Sequence, residues 1–186
     1  MWASEPVRIE TERLVLRGHA SEDFEPLAEM WADPEVVKFI GAGVSNRQGS
    51  WMRLLRYRGL WPVLGYGYWA VEEKSSGRFM GELGFADFHR EIEPSIVGIP
   101  EAGWVFAAWA HGQGFATEAL RAGLAWLDQD HRRSVCLVAP ENGRSIRVAE
   151  KCGFVLAQTM RFKDEEPLLM ARKRGGNYDD QLRAGI

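Results

Sequence analysis

Residues 111–117 read His-Gly-Gln-Gly-Phe-Ala-Thr and stand between a β-like stretch and the most regular helical pattern of the chain. Gly112 and Gly114 lie where that helix opens. Glycines there leave the first amides uncovered by side chains, and those amides, with the helix dipole, attract an anionic phosphate. A ligand carrying a pyrophosphate is the natural candidate, and a Gly-rich turn that only reverses the chain is the plainer one. The helix is expected over residues 114–128: Phe115, Ala119, Ala122 and Trp126 form a stripe that Leu120, Leu124 and Leu127 widen, as on a helix packed against a sheet.

Upstream, residues 101–107 read as a strand, and downstream residues 134–139 (SVCLVA) read as a second, buried and parallel to it through the helix. Strand, helix and strand make one βαβ unit. Residues 65–88 alternate with period two around a Ser75–Gly77 turn, which predicts an antiparallel hairpin. Residues 13–17 predict a first strand. A helix is expected from Ser21 to about Asp33, and another over residues 48–57 with Trp51, Leu54 and Leu55 on one face, broken by Pro62. Asn142 caps a last helix that Gly153 ends. Residues 154–162 and about 165–172 predict a closing antiparallel pair, and the tail, 173–186, is expected to fray. The reading is one domain, 1–186, with a core over about 10–172 and a mixed, mostly antiparallel sheet.

The 186 residues, with 46% hydrophobic, eight Trp and nine Phe, suffice for one sizeable core. Lys plus Arg at 23 against Asp plus Glu at 26 gives a charge of −3, which disfavours a nucleic-acid binder. The apolar run from Trp104 to Ala110 is far short of the roughly 20 residues that span a bilayer, and the N-terminus lacks a secretory signal pattern. A cytoplasmic protein is expected, with neither membrane nor nucleic acid as partner. Cys136 and Cys152 read as buried thiols, and His19, His89 and His131 lack metal-ligand spacing, so no metal is expected.

A dinucleotide fingerprint would want glycine where Thr117 stands, and no P-loop lysine motif occurs. A second segment, residues 140–154 (PENGRSIRVAEKCGF), decides otherwise. Together with HGQGFATEA it resembles the GNAT acyl-CoA N-acyltransferase superfamily. The ERLVLR start, the EAGW strand and the NxxSIRVAEKxGF ending resemble the RimJ/RimL-type ribosomal-protein N-terminal acetyltransferases within it. The resemblance covers about residues 10–172.

It implies a splayed sheet of about seven strands with flanking helices, in which the strands at 101–107 and 134–139 separate to admit acetyl-CoA. The backbone of Trp104, Val105 and Phe106 would pair with the pantetheine arm, and the amides of His111, Gly112, Gln113, Gly114, Phe115, Ala116 and Thr117 would cradle the pyrophosphate. Gly114 and Ala116 match the family's loop pattern, whereas His111 replaces its first Gln or Arg. Asn142 would bond the pantetheine, or serve only as a helix cap. Arg144, Arg147 and Lys151 share one side of their helix, and Arg147 and Lys151 are candidates to meet the nucleotide phosphates.

Acetyl transfer needs a neutral amine, a polarised thioester carbonyl and a proton for the leaving thiolate. Glu101 resembles the superfamily's base carboxylate in position, with Glu82, Asp164 and Glu165 as competitors. Ser145 stands where many members place a tyrosine that protonates the thiolate, and an amide near Val105 or Phe106 would polarise the carbonyl. Direct attack is expected, since neither cysteine has an activating neighbour in the sequence. The expected partners are acetyl-CoA, as cosubstrate, and an amine acceptor, a protein N-terminus or a small molecule; a homodimer is left open. The alternatives are an acyltransferase for another acyl chain or an antibiotic amine, and a non-catalytic acyl-CoA sensor. The Gly41–Gly43 loop would form an acceptor wall.

Overall fold

The computed structural model describes residues 5–160 and 166–175. Eight strands form one sheet: β1 (Ile9–Glu10), β2 (Leu14–Arg17), β3 (Tyr68–Glu73), β4 (Phe79–Ala86), β5 (Glu101–Phe106), β6 (Arg133–Val138), β7 (Val155–Thr159) and β8 (Leu168–Lys173). Their spatial order is β1-β2-β3-β4-β5-β6-β8-β7. Every neighbouring pair is antiparallel except β5 and β6. The helices are α1 (Phe24–Ala32), α2 (Pro34–Val37), α3 (Arg47–Leu64), α4 (Phe115–Leu127) and α5 (Gly143–Lys151). None of the described helices is long and apolar enough to cross a membrane.

The strand alternation assigns the two faces of the sheet. Leu83 and Phe85 of β4 and Phe106 of β5 join Leu120 and Leu124 of α4 in the larger core. On the other face, Leu27 and Trp31 of α1 and Leu54 of α3 pack with Ala70 of β3, with Val105 against them. That second face carries Glu82, Gly84 and Ala86 of β4, and opposite them Val105, Gly103 and Glu101 of β5. Helix α4, which follows the glycine-rich 111–114 loop, and the helices α1 and α3 therefore lie on opposite sides of the same two strands.

Three expectations need correction. Helix α3 runs through Pro62 and ends at Gly65, whose φ of +79° suits a left-handed cap. Pro62 removes one amide from the last turn. Trp61 beside it is 1% exposed, donates its indole N–H to the Tyr68 carbonyl at 3.2 Å and packs edge-on against Trp69, so burial outweighs the lost bond. The buried side of α3 is Ser50, Leu54, Tyr57 and Trp61, whereas Trp51 and Leu55 are exposed. The sheet also begins one strand earlier than the pattern implied, with the two residues of β1.

Candidate active site

Strands β5 and β6 meet at a single parallel register, Glu101 opposite Val135, where the Val135 amide donates to the Pro100 carbonyl at 3.0 Å. Beyond that point β5 pairs only with β4 and β6 only with β8, so the two strands diverge toward their carboxyl ends. A cleft of about 940 Å³ opens there. Glu101 and Arg90 line it from one side, Leu137 and Ala139 from the other, and residues 38–42, including Gly41 of the predicted acceptor wall, close a third.

Backbone alternation sorts the β5 residues predicted to face the coenzyme. The Ala107 amide bonds the Met80 carbonyl of β4, which turns the odd-numbered residues, Val105 among them, toward β4. The Pro100 carbonyl points to β6, and Trp104 and Phe106 follow it in the alternation. The backbone of Trp104 and the amide of Phe106 thus face the gap, while that of Val105 is spent on the sheet.

The loop after β5 is braced at both ends. Ring Nε2 of His111 lies 2.8 Å from the Phe106 carbonyl, so this side chain ties the loop to the strand it leaves. Gln113 donates to the Trp109 carbonyl at 2.9 Å, and its own carbonyl accepts from Arg13 at 3.0 Å. Gly112 and Gly114 take φ values of +79° and +82°, which glycine adopts without strain. A Cβ added at Gly112 would meet nothing within 4 Å, and one at Gly114 would meet only Arg13. Space is therefore open over the start of α4, where the amides of Phe115, Ala116 and Thr117 begin the helix. These features fit a pyrophosphate.

Arg13 is a loop residue that the sequence pattern did not single out. Its guanidinium stacks 4.4 Å over the Phe115 ring and pairs with Glu118 at 2.7 Å. Glu118 also accepts from the Thr11 hydroxyl at 2.6 Å, so the one acid in the first turn of α4 is held away from the loop and neutralised. Only the fold brings β2 and α4 together, which is why spacing along the chain carries no sign of it.

Helix α5 flanks the loop. Asn142 uses one lone pair of its side-chain oxygen to cap the Ser145 amide at 3.1 Å, and its NH₂ stays available to a ligand. Arg144 reaches toward His111 at 3.5 Å, and Arg147 and Lys151 are exposed. At the other end of the helix the Cys152 thiol sits 3.8 Å from the Thr117 carbonyl. Ser145 is half-buried in the first turn.

Of the candidate bases, Asp164 and Glu165 lie outside the described residues. Glu101 is 7% exposed and gripped by Arg90 through two hydrogen bonds of 2.7 and 2.9 Å. Glu82 is fully buried; its Oε1 accepts from the Tyr57 hydroxyl at 2.6 Å and from Trp31 Nε1 at 3.1 Å, while Oε2 has no partner among the described residues. Burial pushes the Glu82 carboxyl up to about 7. Cys136 and Cys152 are free, buried thiols that burial pushes upward, and neither suits an acyl-enzyme nucleophile.

The acetyltransferase (GNAT) domain family matches residues 13–155. A Bacillus subtilis protein, YkkB, is 30% identical over 176 residues, covering 91% of this chain and 97% of its own. A Bordetella pertussis protein assigned to the GNAT acetyltransferases is 30% identical with a TM-score of 0.77, covering 89% of this chain and 99% of that one. An acetyltransferase from Agrobacterium tumefaciens is 26% identical with a TM-score of 0.78, over 92% and 97% of the two chains.

Proposed function

The chain belongs to the GNAT acetyltransferase family and is an acetyl-CoA-dependent N-acetyltransferase; on that premise we propose that its acceptor is a primary amine, either a protein N-terminal α-amine or a small-molecule amine, acetylated by direct attack. The observation that carries this reading is the single β5–β6 register at Glu101, which opens a cleft with a carboxylate at its vertex.

The coenzyme's pyrophosphate would rest on the amides that follow Gly112 and Gly114, with Arg144, Arg147 and Lys151 as cations beside it. The pantetheine amides would pair with the Phe106 amide and the Trp104 carbonyl, and the Trp104 amide, nearer Glu101 along β5, would polarise the thioester carbonyl. Asn142 would offer its NH₂ to the arm. At the vertex, Glu101 receives the proton shed by the attacking amine, directly or through a water. The amine nitrogen bonds the acetyl carbon, the carbon–sulfur bond breaks, and the Ser145 hydroxyl donates a hydrogen bond to the departing thiolate, which takes its proton from solvent as Glu101 releases the amine's proton to water. An α-amine, with an ordinary pKa near 8, is neutral in a useful fraction at neutral pH, whereas a lysine side chain near 10.4 needs a stronger base.

The test is release of free CoA thiol from acetyl-CoA with peptides bearing a free N-terminus, with peptides whose only amine is a lysine side chain, and with small polyamines and aminoglycosides. Turnover of free N-termini or small amines, at least about tenfold above the lysine peptides, is expected. No release above the rate of hydrolysis with any of them would overturn the reading.

A further inference from the structure

Tyr68 begins β3 directly opposite Gly84 of β4, and Gly84 stands opposite Gly103 of β5. A Cβ on Gly84 would collide with the backbone and ring of Tyr68, and a Cβ on Gly103 with the Tyr68 hydroxyl. The two glycines thus clear a path that lets one aromatic ring from β3 lie across β4 and set its oxygen over β5. Gly103 is two residues past the Glu101 vertex and on the same face, so the hydroxyl arrives where the strands part.

The ring is clamped. Tyr57 stacks on it with centroids 4.3 Å apart and planes 7° from parallel. The hydroxyl of Tyr57 is used by Glu82, but among the described residues the hydroxyl of Tyr68 has no hydrogen-bond partner, although the residue is only 7% exposed. The hydroxyl is not among the buried atoms sealed off without a partner, so its oxygen keeps open lone pairs and a donor for a ligand arriving on this face. Burial first, and then the charges of Glu101 and Glu82, push the phenol far above its ordinary range, so it stays protonated wherever the protein works.

The face identifies the ligand. The phosphate loop and α4 lie against the opposite side of β4 and β5, so the side holding Glu101, Gly103 and Tyr68 is the one left for the acceptor. We infer that Tyr68 is an acceptor-binding residue, its hydroxyl oxygen taking one N–H of the incoming amine while Glu101 takes the proton that is lost. This inference rests on the acetyl-transfer reading and adds a group that holds the amine's lone pair toward the thioester.

The experiment is Tyr68→Phe, with glycinamide as the acceptor probe and thiol release as the readout. The expected result is a fall of at least tenfold in kcat/KM for glycinamide, with the calorimetric Kd for acetyl-CoA within about twofold of the wild type. Because the hydroxyl has no partner in the free protein, the melting temperature is expected to hold or rise. Gly103→Ala, which crowds the hydroxyl without removing it, is expected to reduce glycinamide turnover in the same direction. An unchanged kcat/KM in Tyr68→Phe would overturn the inference. A lowered melting temperature would do so too, since the hydroxyl would then be holding the fold together. So would wild-type protein that acetylates other amines but not glycinamide. Wild-type protein that neither binds nor consumes acetyl-CoA contradicts the acetyl-transfer reading itself, a failure visible before Tyr68 is altered.

Discussion

The hydroxyl of Tyr57 donates to Oε1 of Glu82 across 2.6 Å, at the centre of the sheet face that also carries Glu101. Glu82 therefore sits between two neutral donors, with its second oxygen unpartnered among the described residues. Burial raises it from 4.5 to about 7, so the native state holds the proton more tightly than the unfolded chain. Its contribution to stability is complete below about pH 4.5 and is lost as pH rises through about 7. At about 1.36 kcal/mol per pH unit the full effect is on the order of 3 kcal/mol. Glu82→Gln should flatten this slope, which urea unfolding of both proteins at pH 5 and pH 8 would measure.

His19 acts at the other end of the scale. It is 3% exposed, stacks on Tyr57 with centroids 5.3 Å apart, and both its ring nitrogens lack partners among the described residues. Burial lowers it from 6.5 to about 4, so the native state favours the neutral ring. That stability is present above about pH 6.5 and is lost as pH falls through about 4. His19→Phe keeps the stack and removes the orphaned nitrogens. It should gain about 1–2 kcal/mol at pH 7 and lose less stability in acid, as followed by tryptophan fluorescence.

Arg90 and Glu101 form a two-bond pair at the cleft vertex, with side chains 27% and 9% exposed. Removing the cation leaves a nearly buried carboxylate without this partner. Arg90→Gln should cost about 2 kcal/mol, less than for a fully buried pair because the guanidinium still meets water. Adding Glu101→Gln should recover much of that loss. A double-mutant cycle by thermal unfolding measures the coupling, and strictly additive effects would argue against it.

Gly84 has no room for a side chain. A Cβ there would meet the Tyr68 Cα and the Gly67 carbonyl, both backbone atoms that cannot swing aside. Gly84→Ala should therefore destabilise the protein by about 2–4 kcal/mol, outside the range of an ordinary surface change. Chemical denaturation gives the value, and a loss below about 0.5 kcal/mol would contradict the described packing.

The sequence was most legible where local pattern and tertiary role agree. The HGQGFAT loop, the amphipathic α4, the parallel β5 and β6, and the Asn142 and Gly153 ends of α5 are all found near their expected places. It misled where packing overrides a local signal. Pro62 stays helical because Trp61 is anchored in the core, and Trp51 and Leu55 turn outward because Tyr57 and Trp61 set the rotation of α3. The candidate site was legible as motifs, but its cross-chain contacts were not. Arg13 meets the Gln113 loop across 100 residues of sequence, and Tyr68 reaches β5 only through gaps at two glycines on separate strands. No spacing along one chain encodes either contact.

The most direct test is calorimetric titration with acetyl-CoA of the wild-type protein and of Gly114→Asp. Asp is among the side chains that best tolerate the left-handed backbone of Gly114, and it sets a carboxylate at the start of α4, where the phosphates should rest. Micromolar binding by the wild type and a loss of about 100-fold or more in the variant are expected, with folding confirmed by its circular dichroism. Wild-type protein that binds no acetyl-CoA, or a folded variant that binds it equally well, would contradict the account.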